Sequence, residues 1–315
     1  MKPNISKDSP KTLRQYRFFI EEGSLNEAEP GSILALHDPD LAHQLSKVLR
    51  LQAGDQVTLL DNSGRACHCI IESLPQRASL QRKQAGAKPV RKQVEGANRA
   101  GQPEPLRFRI ASIKDDCKAE GRLAQKNDLS RPKILILLPV IKPARFEWAL
   151  EKLTEVGVDI VQPTICNRSV HQDFNKADNE SKFLRWHSII KEAAEQCERN
   201  RLPILRPIKK FAQAISDESE SSSRDQLLLL HLSERSNAPD MVTALSALCN
   251  SKTCKTATLV VALGPEGGLD SSEVALLEMS GFSPVSLGQN ILRAETAAIV
   301  AIATAAQTLT KMSKY

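Results

Sequence analysis

The pattern of apolar and polar positions divides the chain into two parts with different periods. From Tyr16 to about Leu74, short apolar runs are separated by tight turns such as Ala53-Gly54-Asp55 and Asn62-Ser63-Gly64. Short runs bounded by Gly and Asn are typical of β-strands and hairpins. This part is therefore predicted to be a small β-barrel with one short helix, and the run 106–113 is predicted to return to it as a further strand.

The second part alternates apolar runs with helical patterns. The run 133–140 has the length of a buried strand, and the segment from Pro143 to Gly157 repeats apolar residues at helical spacing. Similar alternation follows to the C-terminus, with a long helix predicted over about 181–200 and an acidic surface loop over 216–225. Strands that alternate with helices predict an α/β domain with a mostly parallel sheet.

Two segments lie outside these patterns. Residues 76–105 are rich in basic residues, Gly and Pro and contain no aromatic residue, so this segment cannot form a core and is predicted to be a disordered insert. Residues 1–13 are predicted to be a disordered leader. The predicted domains are thus a barrel over 14–130, which carries the insert, and an α/β domain over 131–315.

Composition and charge narrow the classes of partner and the cellular compartment expected for the protein. The net charge of +6 suits an anionic partner such as nucleic acid, although many basic proteins bind none. No apolar run reaches the length of a membrane span, and the first residues lack the apolar core of a secretory signal. The seven cysteines have no regular spacing, which is typical of reduced thiols, so the protein is expected in the cytoplasm.

The segment Cys67-His68-Cys69 is the tightest group of metal-ligating side chains in the sequence. A zinc site needs a second pair of ligands at suitable spacing, and none is evident. Because alternate residues of a strand share one face, we expect the two thiols to be buried in the core, and no metal site is predicted.

A glycine-rich turn, Gly264-Pro265-Glu266-Gly267-Gly268, separates an apolar run from a helical pattern. It lacks the lysine of a phosphate-binding loop and the spacing and early position of a dinucleotide fingerprint, and Glu266 would repel a phosphate. A ligand without phosphates, such as S-adenosylmethionine, suits it better. A plain β-turn followed by an N-cap at Asp270 or Ser271 remains the alternative.

A second turn strengthens the ligand hypothesis. Gly288 also follows a predicted strand, and the helix after it is dense in alanine. Small side chains let a helix pass close to neighbouring backbone, whereas an ordinary well-packed helix usually carries more leucine.

The residues LGPEGG and LGQNILRAETAA near the C-terminus resemble the SPOUT superfamily of knotted RNA methyltransferases. Within it, the chain is most similar to the RsmE family, the 16S ribosomal RNA uridine N3-methyltransferases. The stretch HQLSKVLRLQAGDQV resembles the PUA-like barrel of that family, and two stretches of the α/β part resemble the middle of its catalytic domain. The resemblance covers about 14–74 and 106–310.

The resemblance implies a fold, a reaction and a set of contacts. It implies an α/β trefoil-knot domain after a PUA-like β-barrel, a homodimer, and methylation of N3 of uridine 1498 in 16S ribosomal RNA of the small subunit. The cofactor is S-adenosyl-L-methionine, and its implied contacts, mostly through backbone, are Leu263, Gly264, Pro265, Glu266, Gly267, Gly268, Leu287, Gly288, Ile291 and Leu292.

The chemistry of such a methylation suggests roles for three charged residues. N3 of uridine carries a proton, so the site must favour the deprotonated base. Arg293 is expected to stabilise negative charge on a uracil oxygen, and Glu295 or Glu266 is expected to accept the proton. The structural alternative is that Glu295 interacts with the helix dipole and pairs with Arg293.

Basic side chains are expected to place the RNA by contacting phosphates, although each is also an ordinary surface charge. The candidates are Arg17, Lys47 and Arg50 in the barrel and Lys142, Arg145 and Arg168 in the α/β domain. The histidines His43, His171 and His231 have no second partner at a readable spacing and are expected to be structural.

The sequence departs from the family pattern at three positions. Asn290 stands where the family usually has Arg, Asn167 where it often has Glu, and Glu198 where it has Gly. A function from another class, a non-catalytic RNA-binding assembly factor on the same scaffold, remains the alternative to the methyltransferase.

Overall fold

The computed structural model describes residues 16–75, 104–115, 132–169, 176–219, 227–233, 238–249 and 258–312. The predicted leader, most of the predicted insert and the predicted domain boundary at residue 131 lie outside these ranges. The chain forms two compact units, one N-terminal and one C-terminal, that divide between Lys118 and Ala119. Among the described helices, none combines the length and the apolar character that crossing a bilayer would require.

The N-terminal unit is built on a five-stranded sheet with the strand order β1-β3-β4-β5-β2. Its strands are β1 (Tyr16–Phe19), β2 (Ile33–Leu36), β3 (Gln56–Leu60), β4 (Arg65–Ser73) and β5 (Leu106–Asp115). Pairing is antiparallel except between β1 and β3. The sequence predicted the other strands, but β2 was missed because its four residues ILAL, between polar segments, are too short for a clear period.

The predicted short helix of this unit is present as α1 (Pro39–His43), followed directly by a π-helical turn (Gln44–Val48). Asp38 caps α1 by accepting a hydrogen bond from the Leu41 amide. Cys67 and Cys69 are both buried in the core, as predicted, and burial raises the pKa of Cys67 to about 11 and that of Cys69 to about 12. These thiols are therefore protonated core residues.

The C-terminal unit contains the predicted parallel sheet. Its main path has the order β12-β10-β11-β6-β7-β8, with β9 also paired to β7, and every pairing is parallel. The strands are β6 (Lys133–Pro139), β7 (Ile160–Ile165), β8 (Ile204–Leu205), β9 (Lys209–Lys210), β10 (Leu227–Leu232), β11 (Thr258–Ala262) and β12 (Ser283–Val285).

Helices cover both faces of this sheet. The larger apolar core lies under α2, α3, α5 and α7, and a smaller one lies under α4 and α6. The helices are α2 (Pro143–Val156), α3 (Lys176–Gln196), α4 (Phe211–Ser219), α5 (Met241–Cys249), α6 (Ser271–Met279) and α7 (Ala294–Met312). On α3, Trp186 and Ile190 are buried in the larger core, and Ala193 is also buried.

The prediction of an acidic surface loop over 216–225 is wrong in its first part. Residues 216–219 form the last turn of α4, and Glu218 is buried there in an ion pair with Arg206. Phe211, Ala214 and Ile215 have helical spacing, but the acidic residues that follow were assigned to a loop because the basic partner of Glu218 lies twelve residues upstream. The remaining residues of that segment, 220–225, lie outside the described ranges.

The end of α3 shows the structural consequence of one departure from the family pattern, Glu198 in place of glycine. The predicted end near Asn200 lies four residues beyond Gln196, because Glu198 adopts a left-handed conformation with a φ of 62°. The Arg199 amide donates to the Ala194 carbonyl at 3.0 Å, which is the backbone arrangement of a Schellman motif. Glycine adopts this conformation without the steric cost that a side chain imposes, and the resemblance implies a glycine here.

Replacement of Glu198 by Gly should therefore stabilise the C-terminal unit by about 1 kcal/mol, because the left-handed conformation no longer crowds a Cβ atom. Urea unfolding followed by tryptophan fluorescence measures this unit alone, since both tryptophans of the chain, Trp148 and Trp186, belong to it. Glu192→Gly, at an exposed position inside the same helix, should instead destabilise the unit by a similar amount of about 1 kcal/mol. Lower stability of Glu198→Gly would contradict the interpretation.

Candidate functional site

A cavity of about 490 Å³ opens at the carboxyl ends of β10, β11 and β12. The glycine turn follows β11, the second turn follows β12, and β10 lies between these two strands. The structure therefore brings together two turns that are separate in the sequence. The residues that line the cavity include every predicted cofactor contact: Leu263, Gly264, Pro265, Glu266, Gly267, Gly268, Leu287, Gly288, Ile291 and Leu292.

The glycine turn is tightly folded on itself. A Cβ atom at Gly264 would lie 2.8 Å from the Leu269 amide nitrogen, so no side chain fits there. The Gly268 amide donates to the Pro265 carbonyl at 2.8 Å, and Gly268 has a φ of 70°. The turn thus requires glycine at two positions for two different reasons, close approach of backbone and a left-handed conformation.

The second turn forms the facing wall. Gly288 has a φ of 125°, and its amide donates to the Ser286 hydroxyl, which in turn donates to the Gly288 carbonyl. Ile291 lines the cavity while 72% of it stays exposed, and the side chain of Arg293 is exposed at the same wall. This wall therefore presents an apolar surface and one cation to whatever enters.

Helix α7 packs against α2. Ala298, Ala301 and Ala305 are fully buried, and a Cβ atom at Gly157, after the end of α2, would lie 3.8 Å from the Cβ atom of Ala306. A methyl group at Gly157 would be in ordinary van der Waals contact with α7, so the expectation that small residues let this helix pass close to neighbouring backbone stays a prediction.

A loop after β7 holds the glycine turn by hydrogen bonds, and sequence reasoning named its residues Asn167 and Arg168 without identifying this role. The Asn167 amide donates to the Glu273 carboxylate at 2.8 Å, and the Asn167 side chain donates to Asp270 at 2.7 Å. Arg168 donates to the carbonyls of Gly267 at 3.2 Å and Leu269 at 3.4 Å. The loop thus fixes both the turn and the start of α6.

Glu273 connects the loop after β7 to the start of α6. It is 95% buried, and its second oxygen accepts a hydrogen bond from the Asp270 amide at 3.0 Å, which completes a capping box with the Asp270 side chain. Hydrogen bonds from the Ser272 hydroxyl, the Glu273 amide and the Asn167 side chain lower the pKa of Asp270 to about 2. The N-cap expected at Asp270 is confirmed, and it coexists with the cavity.

The two predicted proton acceptors occupy different places. Glu266 lines the cavity, whereas Glu295 is not among its lining residues and its side chain is only 6% exposed. Arg145 of α2 lies between them, with its Nη1 atom 3.3 Å from Glu266 Oε1 and its Nε atom 3.7 Å from Glu295 Oε1. The partner of Glu295 in the structure is therefore Arg145, and not Arg293 as the structural alternative proposed.

The candidate RNA contacts differ in their surroundings. Lys47 and Arg50 in the N-terminal unit and Lys142 in the C-terminal unit are exposed, and Arg17 is partly buried. Arg145 forms the ion pairs described above, and Arg168 donates the hydrogen bonds to backbone carbonyls described above. Phosphate contacts for these six residues stay predictions.

Of the three histidines named from the sequence, His231 is among the residues that line the cavity. His43 is exposed, and His171 lies outside the described residues. His231 is 97% buried on β10, where burial lowers its pKa, so it is neutral at physiological pH.

Two family models match the sequence of this chain. The model of the RNA methyltransferase domain family matches residues 128–306, and the model of the RNA methyltransferase PUA domain matches residues 40–81. The chain is 31% identical to ribosomal RNA small subunit methyltransferase E of Synechocystis over 96% of this chain and 80% of the relative. It is 28% identical to the Bacillus subtilis protein of the same name, over 91% and 94% of the two chains.

Solved structures agree with these matches. A methyltransferase from Legionella pneumophila, solved in complex with the cofactor SAM, is 26% identical, with a TM-score of 0.67 over 94% of this chain and 98% of that one. A ribosomal RNA small subunit methyltransferase E from Neisseria gonorrhoeae, bound to S-adenosyl methionine, is 24% identical, with a TM-score of 0.66 over 94% and 98%. The predicted fold class, a SPOUT-type α/β trefoil-knot domain after a PUA-like barrel, is confirmed.

The two hydrogen bonds that the Glu273 carboxylate accepts predict the effect of one substitution. Glu273→Gln should destabilise the C-terminal unit by about 1–3 kcal/mol, because a carboxylate accepts from both the Asn167 and Asp270 amides whereas a carboxamide turns its NH₂ group towards one of them. Urea unfolding followed by tryptophan fluorescence measures the change. Glu278→Gln, on the exposed side of α6, serves as the matched control and should leave the free energy of unfolding unchanged. Equal stability of the two variants would contradict the role assigned to Glu273.

Proposed function

The chain belongs to the ribosomal RNA small subunit methyltransferase E family, and we propose that it transfers a methyl group from S-adenosylmethionine to N3 of a uridine in 16S ribosomal RNA. The observation that carries this proposal is the cavity between the two glycine turns at the carboxyl ends of β10, β11 and β12. Ligands of open α/β sheets bind at this edge. The substrate is the RNA of the small ribosomal subunit, and the specific uridine follows from the family resemblance.

The lining of the cavity fits the cofactor. A volume of about 490 Å³ lies within the range of small-molecule sites. Leu263, Leu287 and Leu292 offer apolar surface to an adenine ring, and the two glycine turns offer backbone groups without intervening side chains. Glu266 supplies a negative charge at a site for a ligand that carries an ammonium and a sulfonium. A phosphate-bearing ligand would be repelled by the same residue.

S-adenosylmethionine supplies an electrophilic methyl group, and the residues of this chain must make the uridine nucleophilic. The N3 proton has to leave before N3 can attack, and negative charge then spreads to the uracil carbonyl oxygens. Arg293 lines the cavity with an exposed guanidinium, so it is placed to donate hydrogen bonds to such an oxygen. Its role is to stabilise the uridinate.

Glu266 is the better placed of the two proton acceptors. Its carboxylate lines the cavity and is partly exposed, whereas Glu295 is buried against Arg145. A general base must come within hydrogen-bond distance of the proton that it removes. We therefore assign proton acceptance to Glu266 and give Glu295 a supporting role, which changes the order of preference that the sequence suggested.

The RNA is held by basic side chains of both units. Lys47 and Arg50 on the PUA-like unit and Lys142 on the methyltransferase unit are exposed and available to phosphates. Asn290, which replaces the usual arginine of the family, also lines the cavity. At this position a neutral hydrogen-bonding side chain faces the substrate, so the positive charge at this wall comes from Arg293.

A homodimer is the second part of the proposal. Trp148 on α2 and Val300 on α7 are 45% and 37% exposed. The two helices run side by side in the same direction, since Arg145 pairs with Glu295 at their starts and Gly157 faces Ala306 at their ends. Exposed apolar side chains on two adjacent helices are typical of a surface that another protein covers.

Methyl transfer from labelled S-adenosylmethionine to 30S subunits from cells lacking the modification tests the activity. Nucleoside analysis should find N3-methyluridine at one site. Arg293→Ala should lower kcat by about 10²-fold to 10³-fold, as expected for loss of a charged donor at a developing oxyanion, and should retain cofactor binding in calorimetry. Lys311→Ala, which removes an exposed cation from the last turn of α7, is the matched control and should keep full activity.

The results separate the two functions that the sequence left open. Cofactor binding without transfer to the subunit would contradict the proposed substrate, with Asn290 the first residue to examine. A protein that binds small-subunit RNA without binding the cofactor would favour the non-catalytic assembly factor.

Trp148→Arg should convert the dimer into a monomer, because a charged side chain cannot be desolvated in an apolar interface without a partner. Sedimentation equilibrium measures the mass directly. Leu184→Arg, at another exposed apolar position of the same unit, shows whether any loss of dimer is specific to the surface of α2. A wild-type protein that sediments as a monomer would contradict this part of the proposal.

A further inference from the structure

Arg145 links three elements of the C-terminal unit that meet beside the cavity. Its guanidinium lies between Glu266 on the glycine turn and Glu295 in the first turn of α7, while Arg145 itself belongs to α2. We call these three residues the arginine bridge. One hydrogen bond of 3.3 Å joins Arg145 to Glu266, and an ion pair of 3.7 Å joins it to Glu295.

The burial of the three side chains shows which end of the bridge is the anchor. The Glu295 side chain is 6% exposed, and its Oε2 atom is buried and accepts no hydrogen bond from the described residues. A buried carboxylate without enough hydrogen bonds depends strongly on its charged partner. Arg145 is therefore held by Glu295, and its exposed edge is left to hold Glu266, whose side chain is 28% exposed.

The same geometry argues against a phosphate contact by Arg145. A guanidinium shared between two carboxylates has no net positive charge to offer, and an RNA phosphate would have to displace one of these acids. Lys142, one turn earlier and exposed at the N-terminus of α2, carries no such commitment in the described structure. Both residues were predicted from the sequence to contact RNA, but Arg145 is paired with two acids whereas Lys142 is exposed.

We infer that Arg145 is a positioning residue that fixes the Glu266 carboxylate and the glycine turn at the cavity wall, with buried Glu295 as its anchor. The effect of Arg145 on methyl transfer rests on the proposed function. That Arg145 holds Glu266 and the glycine turn in place rests only on the contacts of the arginine bridge. A planar guanidinium can contact two acids from two edges, whereas the ammonium of lysine is a point charge. The arrangement therefore requires arginine.

Hydrogen–deuterium exchange tests, without cofactor or RNA, whether Arg145 holds the glycine turn in place. In Arg145→Gln, backbone amides in peptides covering residues 264–270 should exchange several-fold faster than in the wild type, because the turn loses its tie to α2. Arg145→Lys, which keeps a cation beside Glu295 and so protects folding, should show an intermediate increase. Lys152→Gln is the matched control: Lys152 lies on the same helix and also contacts two acids, Glu151 and Glu155, but it is remote from the turn.

A double-substitution cycle tests whether Arg145 acts through Glu266. If it does, Glu266→Gln should accelerate exchange in the same peptides, and adding Arg145→Gln should accelerate it no further. Unchanged exchange in Arg145→Gln, or full additivity with Glu266→Gln, would overturn the inference.

The consequence for the reaction is read from kinetics and salt dependence. Arg145→Gln should lower kcat by roughly 10-fold to 100-fold through misplacement of Glu266, with little change in KM for the RNA. The slope of log affinity for RNA against log salt should stay at the wild-type value, whereas Lys142→Gln should reduce it by about 1. A reduced slope in Arg145→Gln would identify a phosphate contact instead. A wild-type protein without transfer activity would refute the proposed function alone, since the exchange experiment still decides the inference.

Discussion

The parallel register of β11, β10 and β12 is the constraint on which the site depends. His231 of β10 is paired with Ala262 of β11 and with Pro284 of β12, so the three strands end at the same edge. The chain must leave that edge twice, once after β11 and once after β12. Both exits are glycine turns, and the cavity is the space between them. Neither turn alone makes a binding site, which is why the sheet order matters more than either motif.

Much of this arrangement could be predicted because its signals are local. An apolar run, a turn that only glycine can make and a helical period are each read within a few residues, and Gly264 and Gly288 were identified in this way. The capping box of Asp270 and Glu273 has the same local character. Family resemblance then supplied the cofactor and the reaction, which periodicity alone does not reveal.

The features that were missed depend on contacts between distant residues. Asn167 and Glu273 are 106 positions apart, and Arg145 and Glu266 are 121 apart. Nothing in either local pattern identifies the partner, so Arg145 was predicted to contact RNA and the structural alternative paired Glu295 with Arg293. Glu218 was read as part of a loop for the same reason. The chemical type of a residue was readable from the sequence, whereas its partner was decided by the fold.

The arginine bridge also bears on how charge is managed during the proposed reaction. Transfer of a methyl group from a sulfonium to a uridinate removes one positive and one negative charge. A carboxylate that stabilised the cation beforehand would lose that interaction as the charge disappears, which raises the barrier. Arg145 offsets the charge of Glu266 while the carboxylate stays at the cavity wall, so Glu266 holds the cation less tightly before transfer. Glu295 makes this possible because a buried carboxylate keeps the guanidinium in place when the cavity fills.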